Sequence, residues 1–209
     1  MLDYLSGSVR ISLVTFVLCG FAYPLAVTAI AQLSMPYRAN GSVETSADGR
    51  IIGSRLIGQQ WNDPQWFHGR PSATVAPDPK DPSKNIDAPY NAANTTASNL
   101  GPTSKALHDR LTADRKTLEQ IEPELTGKLL PADMLTASGS GLDPDITPAN
   151  AKLQATRVAR ARGLAPEQIE ALVEQHVTGR SLWIFGEPRV NVLELNLALE
   201  KSFPANAVR

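Results

Sequence analysis

The chain has 209 residues, with 20 lysines and arginines against 21 acidic side chains and a net charge of −1. It therefore lacks the basic excess with which a nucleic-acid binder displaces counterions. Its single cysteine, Cys19, excludes an intramolecular disulfide, and His68, His108 and His176 lie tens of residues apart without HxxxH or CxxC spacing, which leaves no pattern for a zinc site.

The first element is "ISLVTFVLCGFAYPLAVTAIA" at residues 11–31, which contains no charged side chain. A helix of roughly 21 residues at about 1.5 Å per residue spans about 30 Å, the depth of a bilayer's hydrocarbon core. Arg10 leads it and Arg38 follows it, while Pro24 removes the partner of the Gly20 carbonyl. Two readings fit: a retained anchor, or a signal peptide cut after "AIA" at residues 29–31. The anchor is favoured by a stripe of small residues, Ser8, Ser12, Thr15, Cys19, Ala22, Ala26 and Ala29, at alternating spacings of four and three. Such a stripe lets a second helix approach closely in lipid, so Ser12, Thr15, Cys19, Ala22, Ala26 and Ala29 form a candidate helix–helix interface. The expected layout is a short cytoplasmic tail at 1–10, a transmembrane helix at 11–32, a connector at 33–48 and an extracytoplasmic domain at 49–209.

Within that domain, "GRIIGSRLIGQQW" at 49–61 predicts one or two short strands bounded by glycines. Residues 62–102 are dense in Pro, Asn, Asp and Ser and predict a long loop without regular helix, pinned by Trp61, Trp66, Phe67 and Tyr90. Its Asp78, Asp81 and Asp87 alternate with Lys80 and Lys84 and read as a solvated loop. An amphipathic helix follows, with Leu107, Leu111, Leu118 and Ile121 on one face and Pro123 as its stop. "APEQIEALVEQHV" predicts a second, with Pro166 in first position and Ile169, Leu172, Val173 and Val177 on one stripe. "SLWIF" at 181–185 reads as a buried strand. "NVLELNLALEK" alternates like a strand, but its Ala, Leu and Glu content and a cap at Asn191 with Glu194 favour helix. The fold class expected is α+β, one transmembrane helix followed by a single mixed domain.

"TASGSGLDPDITPANAKLQATRVARARGL" at 136–164 packs Gly, Ser and Asp ahead of a basic helix. It lacks the lysine of a phosphate loop, the closing glutamate of a calcium loop and the GxSxG of a nucleophile elbow. Gly139 and Gly141 permit unusual backbone angles, Pro144 fixes a turn beside Asp143, and Thr147-Pro148 caps a helix running to about Arg160. That helix carries Lys152, Arg157, Arg160 and Arg162 as a charged, solvated face beside a narrow apolar stripe of Ala151, Ala155, Val158 and Ala159. A purely structural loop and a partner-docking surface both fit; catalysis fits less well.

The same stretch strongly resembles the signature of the KdpC family, the C subunit of the Kdp potassium-transporting ATPase. The resemblance extends through "GSRLIGQ" at 53–59, "FHGRPSA" at 67–73, "SNLGPT" at 98–103 and "GEPRVNVLELNLAL" at 186–199. It implies a non-catalytic subunit of a bacterial inner-membrane complex, single-pass, with the N-terminus cytoplasmic. The implied partners are an ion-conducting subunit, a P-type ATPase subunit and a small single-helix subunit. The complex would use ATP, Mg and K, with none bound directly by this chain, which has no catalytic or metal residues and no DKTG motif. The role implied is stabilising assembly, with shaping of the outer ion entrance as a further expectation. A nucleotide-assisting role is also suggested for the family, centred on a signature glutamine that matches Gln154. The remaining alternative is a secreted soluble hydrolase.

Overall fold

The computed structural model describes residues 2–46 and 48–204. The chain divides into two compact units, one up to Ile52 and one from Gly53 onward.

The first unit is dominated by one long helical rod. Helix α1 spans Leu2–Val17, a π-helical turn covers Leu18–Ala22, and α2 continues over Tyr23–Ser34. Tyr4–Ser34 is long and apolar enough to cross a membrane by length and composition. The tail expected at 1–10 is itself helical from Leu2, since extending a formed helix fixes one residue per hydrogen bond gained. Pro24 cannot donate to a carbonyl one turn back, and the turn before it widens, with Tyr23 N–H reaching Leu18 O. The widened turn holds one extra residue, so everything after it is turned back by about 100°, the rotation of one residue. The small-residue stripe is therefore not continuous. Ser12, Thr15 and Cys19 lie before or within the wide turn and share a groove with Ile11, Phe16 and Gly20. Ala26 and Ala29 follow it at a shifted angle, with Ala22 at the junction. A short helix α3, Pro36–Ala39, follows, and strand β1, Val43–Thr45, pairs with β2, Ile51–Ser54.

The second unit opens with the long irregular segment, which holds no helix and one small hairpin. Strand β3, Val75–Pro77, pairs antiparallel with β4, Asn85–Asp87. Helix α4, Lys105–Ile121, is capped by Ser104 and ends one residue short of the buried Glu122. Leu107, Leu111 and Leu118 are half-buried, but Ile121 is exposed. Strand β5, Asp145–Ile146, leads into α5, Pro148–Arg162; α6 is Pro166–Gln175, β6 is Val177–Thr178, β7 is Arg189–Asn191 and α7 is Val192–Ser202. The sheet order is β5-β7-β6, antiparallel, with Ile146 and Val177 both opposite Val190. The core sits between this sheet and α5, α6 and α7: Ile146, Ala151, Ala155, Val158, Ile169, Val173, Val190, Leu195 and Leu199, with Phe67 from the long segment. A satellite cluster of Leu125, Leu130 and Met134 packs beside it.

The ambiguous leucine-rich segment is a helix. Asn191 Oδ1 accepts from Glu194 N–H at 3.1 Å, Leu195 and Leu199 sit in the core, and Leu193 is buried. The 181–185 segment is not a buried strand. β6 and β7 pair antiparallel with Thr178 opposite Arg189, so the chain between them must reverse direction within about ten residues. Residues 181–185 form that hairpin's tip, and Leu182, Trp183, Ile184 and Phe185 are all exposed.

Candidate functional site

The signature region is where the second unit is tied together. Thr147 Oγ1 accepts from Asn150 N–H at 3.1 Å, Pro148 takes the first helical position, and Gly163 closes α5 in the left-handed conformation at φ 66°. One face of α5 then carries Asn150, Gln154 and Arg157, all buried and all polar. Their spacing of four and three residues keeps them on one side of the helix.

These three side chains form a connected line. Asp133 accepts from Thr147 N–H, from the Thr147 hydroxyl and from Asn150 Nδ2 at 2.7–3.0 Å. Asn150 Oδ1 accepts from Gln154 Nε2 at 2.8 Å, and Gln154 Oε1 accepts from Arg157 Nη2 at 2.6 Å. Arg157 Nε donates to Glu122 Oε1 at 2.8 Å, with both side chains almost fully buried. Burial pushes the Glu122 carboxyl up, while the Arg157 charge opposes that shift; burial likewise pulls the Arg157 guanidinium down, and Glu122 opposes it.

The line exists to hold a piece of irregular backbone. Phe67 N–H donates to Asn196 Oδ1 at 2.8 Å and Phe67 O accepts from Asn196 Nδ2 at 3.0 Å. One residue on, His68 N–H donates to Gln154 Oε1 at 2.8 Å and His68 O accepts from Gln154 Nε2 at 3.0 Å. Two carboxamides, one from α7 and one from α5, thus clasp successive residues as neighbouring strands would. Arg157 Nη1 adds bonds to the carbonyls of Pro64 and Trp66, and Arg162 Nε to that of Gln65. Gln65 and Trp66 N–H turn back onto Asp63. Every backbone donor and acceptor from Pro64 to His68 is accounted for, as burial requires.

The supposed solvated basic face is therefore divided. Lys152 and Arg160 are exposed, but Arg157 and Arg162 are 2% exposed at the side chain. Arg162 donates to Phe203 O at 2.6 Å and lies 4.4 Å over the Trp66 ring. The reason lies in the long segment, which arrives without a sheet to join, so that only long, multi-donor side chains can satisfy its carbonyls.

The loop before α5 works the same way with its own backbone. Gly141 takes φ 71° and its Cβ position would lie 2.6 Å from Thr74 Cγ2, so only glycine fits. Gly139 does not adopt a positive φ and its Cβ position faces open space, so the special geometry belongs to Gly141 alone. Ser72 Oγ donates to Gly141 O, Thr96 N–H to Ser140 O, and Gly58 N–H to Leu142 O. Asp143 takes Arg70 Nη1 at 2.9 Å on one oxygen and Asp145 N–H on the other, and Pro144 O accepts from Val192 N–H. A cavity of about 410 Å³ beside this junction is lined by Trp61, His68, Arg70, Tyr90, Leu118 and Met134 among others. Burial, then the Arg157 charge, pulls the His68 pKa down to about 4, and burial pushes Tyr90 up to about 12, so both are neutral at pH 7. Among the described residues no cluster of His, Cys, Asp and Glu could hold a metal ion.

Gln154, the residue matched to a nucleotide role, is 3% exposed, and both its amide hydrogens and both its oxygen lone pairs are engaged within the protein. The position does not fit a nucleotide: engaging one would break the clasp on His68. Sequence reasoning missed Asn196, Asp133 and Glu122. The available signal was a run of hydrogen-bonding residues at 150, 154 and 157, set at core spacing beside alanines.

The class of protein is defined by these features: one apolar helix of membrane-spanning length, joined to an α+β domain whose buried polar groups serve architecture. The family model described as K+-transporting ATPase, c chain (KdpC) matches residues 5–201. A Bradyrhizobium diazoefficiens protein named potassium-transporting ATPase KdpC subunit is 50% identical over 202 residues, covering 97% of this chain and 98% of that one. Proteins of the same name from Methylobacterium nodulans and Rhodopseudomonas palustris are 51% and 54% identical, covering 96% and 88% of this chain and 98% and 90% of theirs. The chain belongs to the KdpC family.

Proposed function

We propose that this chain is the membrane-anchored, non-catalytic subunit of a potassium-transporting ATPase complex and acts by holding the complex together. The observation that carries this reading is the family match from residue 5 to residue 201, which takes in the apolar helix and the domain alike. In this reading the helix is a retained anchor in the bacterial inner membrane, with its N-terminus in the cytoplasm and the domain outside. The domain rests on the ion-conducting subunit and shapes its outer entrance. ATP and Mg are handled by the P-type ATPase subunit, and K passes through the conducting subunit as cargo. Gln154 then serves as a clasp for the Phe67–His68 backbone, a role supported by its fully engaged amide.

The wide turn before Pro24 gives the helix two small-residue faces at different angles: Ser12, Thr15 and Cys19 on one, Ala26 and Ala29 on the other. Each would admit a different neighbouring helix. Copurification with a P-type ATPase after mild detergent extraction tests the reading. The double substitution Ala22→Leu, Ala26→Leu is expected to lower the yield of the complex while leaving the chain in the membrane. An unchanged yield counts against the helix interface, and failure of the unsubstituted chain to bring down an ATPase overturns the assembly role.

A further inference from the structure

The tip of the β6–β7 hairpin is built in a way that the domain itself does not use. Leu182, Trp183, Ile184 and Phe185 are 77%, 93%, 74% and 63% exposed. Leu182 and Trp183 both have positive φ, 51° and 69°, and Ile184 N–H donates to Ser181 O at 3.2 Å. Both lie in the left-handed region that Asn and Gly ordinarily fill, within a three-residue loop closed by the Ser181–Phe185 bridge. Two bulky residues here cost both backbone strain and exposed apolar surface, and the strained turn splays their side chains outward. Below the tip, Ser181 and Phe185 exchange backbone bonds of 2.8 and 2.9 Å, and Arg180 closes on both carboxylate oxygens of Glu187. The result is an uncharged apolar knob on a neutral, internally bonded stem. The N–H groups of Ser181, Trp183, Ile184 and Phe185 bond within the hairpin, and the remaining backbone groups of the tip suit the headgroup layer, where water is still present.

A knob of four side chains sits near the lower bound of about 600 Å² per partner for a stable protein–protein interface. It would need a matching pocket, whereas a bilayer needs none. The same chain carries a helix of membrane-spanning length. Only residues 35–52 separate the end of that helix from the domain, a tether of at most about 60 Å. A domain of this length has a radius of gyration of about 15 Å, so a tether of that length keeps it close to the membrane that holds the helix. Tryptophan flanked by aliphatic and aromatic neighbours is the composition that settles at the headgroup level.

We infer that the 182–185 tip inserts into the interfacial layer of the bilayer in which the chain is anchored. The inference rests on the helix being a retained anchor. The chain has three tryptophans, Trp61, Trp66 and Trp183, none of them in the helix. The full-length chain, alone and in the assembled complex, is reconstituted into phosphatidylcholine vesicles with or without acyl chains brominated near the headgroup. The fluorescence of Trp183 is taken as the difference between the wild-type protein and Trp183→Phe. In both preparations Trp183 should emit to the blue of its value in water and lose most of its intensity in brominated vesicles. A water-like, unquenched signal overturns the inference, because the tip is then in solvent. A blue-shifted but unquenched signal also overturns it, because the tip is then covered by protein, a partner subunit or a second copy. Flotation of the Trp183→Phe protein with vesicles reports the anchor separately: loss of flotation refutes the anchor, whereas flotation without quenching refutes only the tip.

Discussion

Two regions of the domain invert the usual rule of what is hidden. Along α5, an asparagine, a glutamine and an arginine are buried beside Phe67, while at the β6–β7 tip a leucine, a tryptophan, an isoleucine and a phenylalanine face outward. The first group is hidden because an irregular segment arrived with carbonyls and N–H groups that needed partners. The second is exposed because the ten residues between paired strands can do nothing but reverse, and the tip of a reversal has nothing to pack on. Hydropathy ranks residues by what they cost in water; local geometry decides which cost the fold avoids.

The largest expected effect comes from cutting the polar line at its charged end. Arg157→Ala leaves Glu122 buried without its counter-charge and frees the Pro64 and Trp66 carbonyls, which should cost about 3–5 kcal/mol. Urea unfolding of the detergent-solubilised full chain, followed by tryptophan emission, measures it. A loss below about 1 kcal/mol, the scale of a surface ion pair, would show that the line is solvated after all.

Next come the two clasps. Asn196→Ala orphans the N–H and carbonyl of Phe67, and Gln154→Ala those of His68, at about 1–3 kcal/mol per stranded group. The Gln154 variant also strands Asn150 Oδ1 and Arg157 Nη2 and should destabilise the chain more than the Asn196 variant, and in the purified complex neither should change the affinity for ATP. A nucleotide defect confined to the Gln154 variant would restore a binding role to that side chain.

His68 sharpens the comparison through pH. Its folded pKa of about 4 lies below the ordinary 6.5, so between these values the unfolded chain binds more protons than the native one. Stability from this group is complete above pH 6.5 and is lost as pH falls toward 4, by about 3 kcal/mol at most. His68→Gln should flatten the urea midpoint between pH 7 and pH 4.5; an unchanged slope would mean that the ring is not held neutral.

One further effect has the opposite sign. Replacing Leu182 by Asn and Trp183 by Gly relieves two left-handed residues at about 1–2 kcal/mol each, so the chain should become more stable. A drop in the urea midpoint would show that the tip packs on its own domain and is not a surface held for something else.

Much of this protein was legible without coordinates. The charge-free segment before residue 32, the Thr147-Pro148 start of α5, the Pro166 start of α6 and the Asn191 cap of α7 are local effects, written in consecutive residues. The motifs at 53–59, 67–73, 136–164 and 186–199 carried the family for the same reason. The segments that misled were those whose environment is set from far away. "SLWIF" has the composition of a core strand, and only the pairing of Thr178 with Arg189 makes it a tip. The arginines of α5 have the composition of a solvated face, and only a loop about ninety residues earlier makes two of them interior. The small-residue stripe is regular in sequence, yet one widened turn before Pro24 splits it, because a helix with a missing donor re-registers its hydrogen bonds.

By itself, then, the order of residues determined where α5, α6 and α7 begin, that a bilayer-length helix precedes the domain, and which family the chain resembles. These depend on capping, periodicity and length, which are properties of neighbours along the chain. Tertiary structure alone decided that Asn150, Gln154, Arg157 and Asn196 would be interior. The backbone groups that Gln154, Arg157 and Asn196 satisfy belong to residues 64–68, Asn150 joins Gln154 to Asp133, and hydrogen bonds between such distant positions exist only once the fold has brought them together.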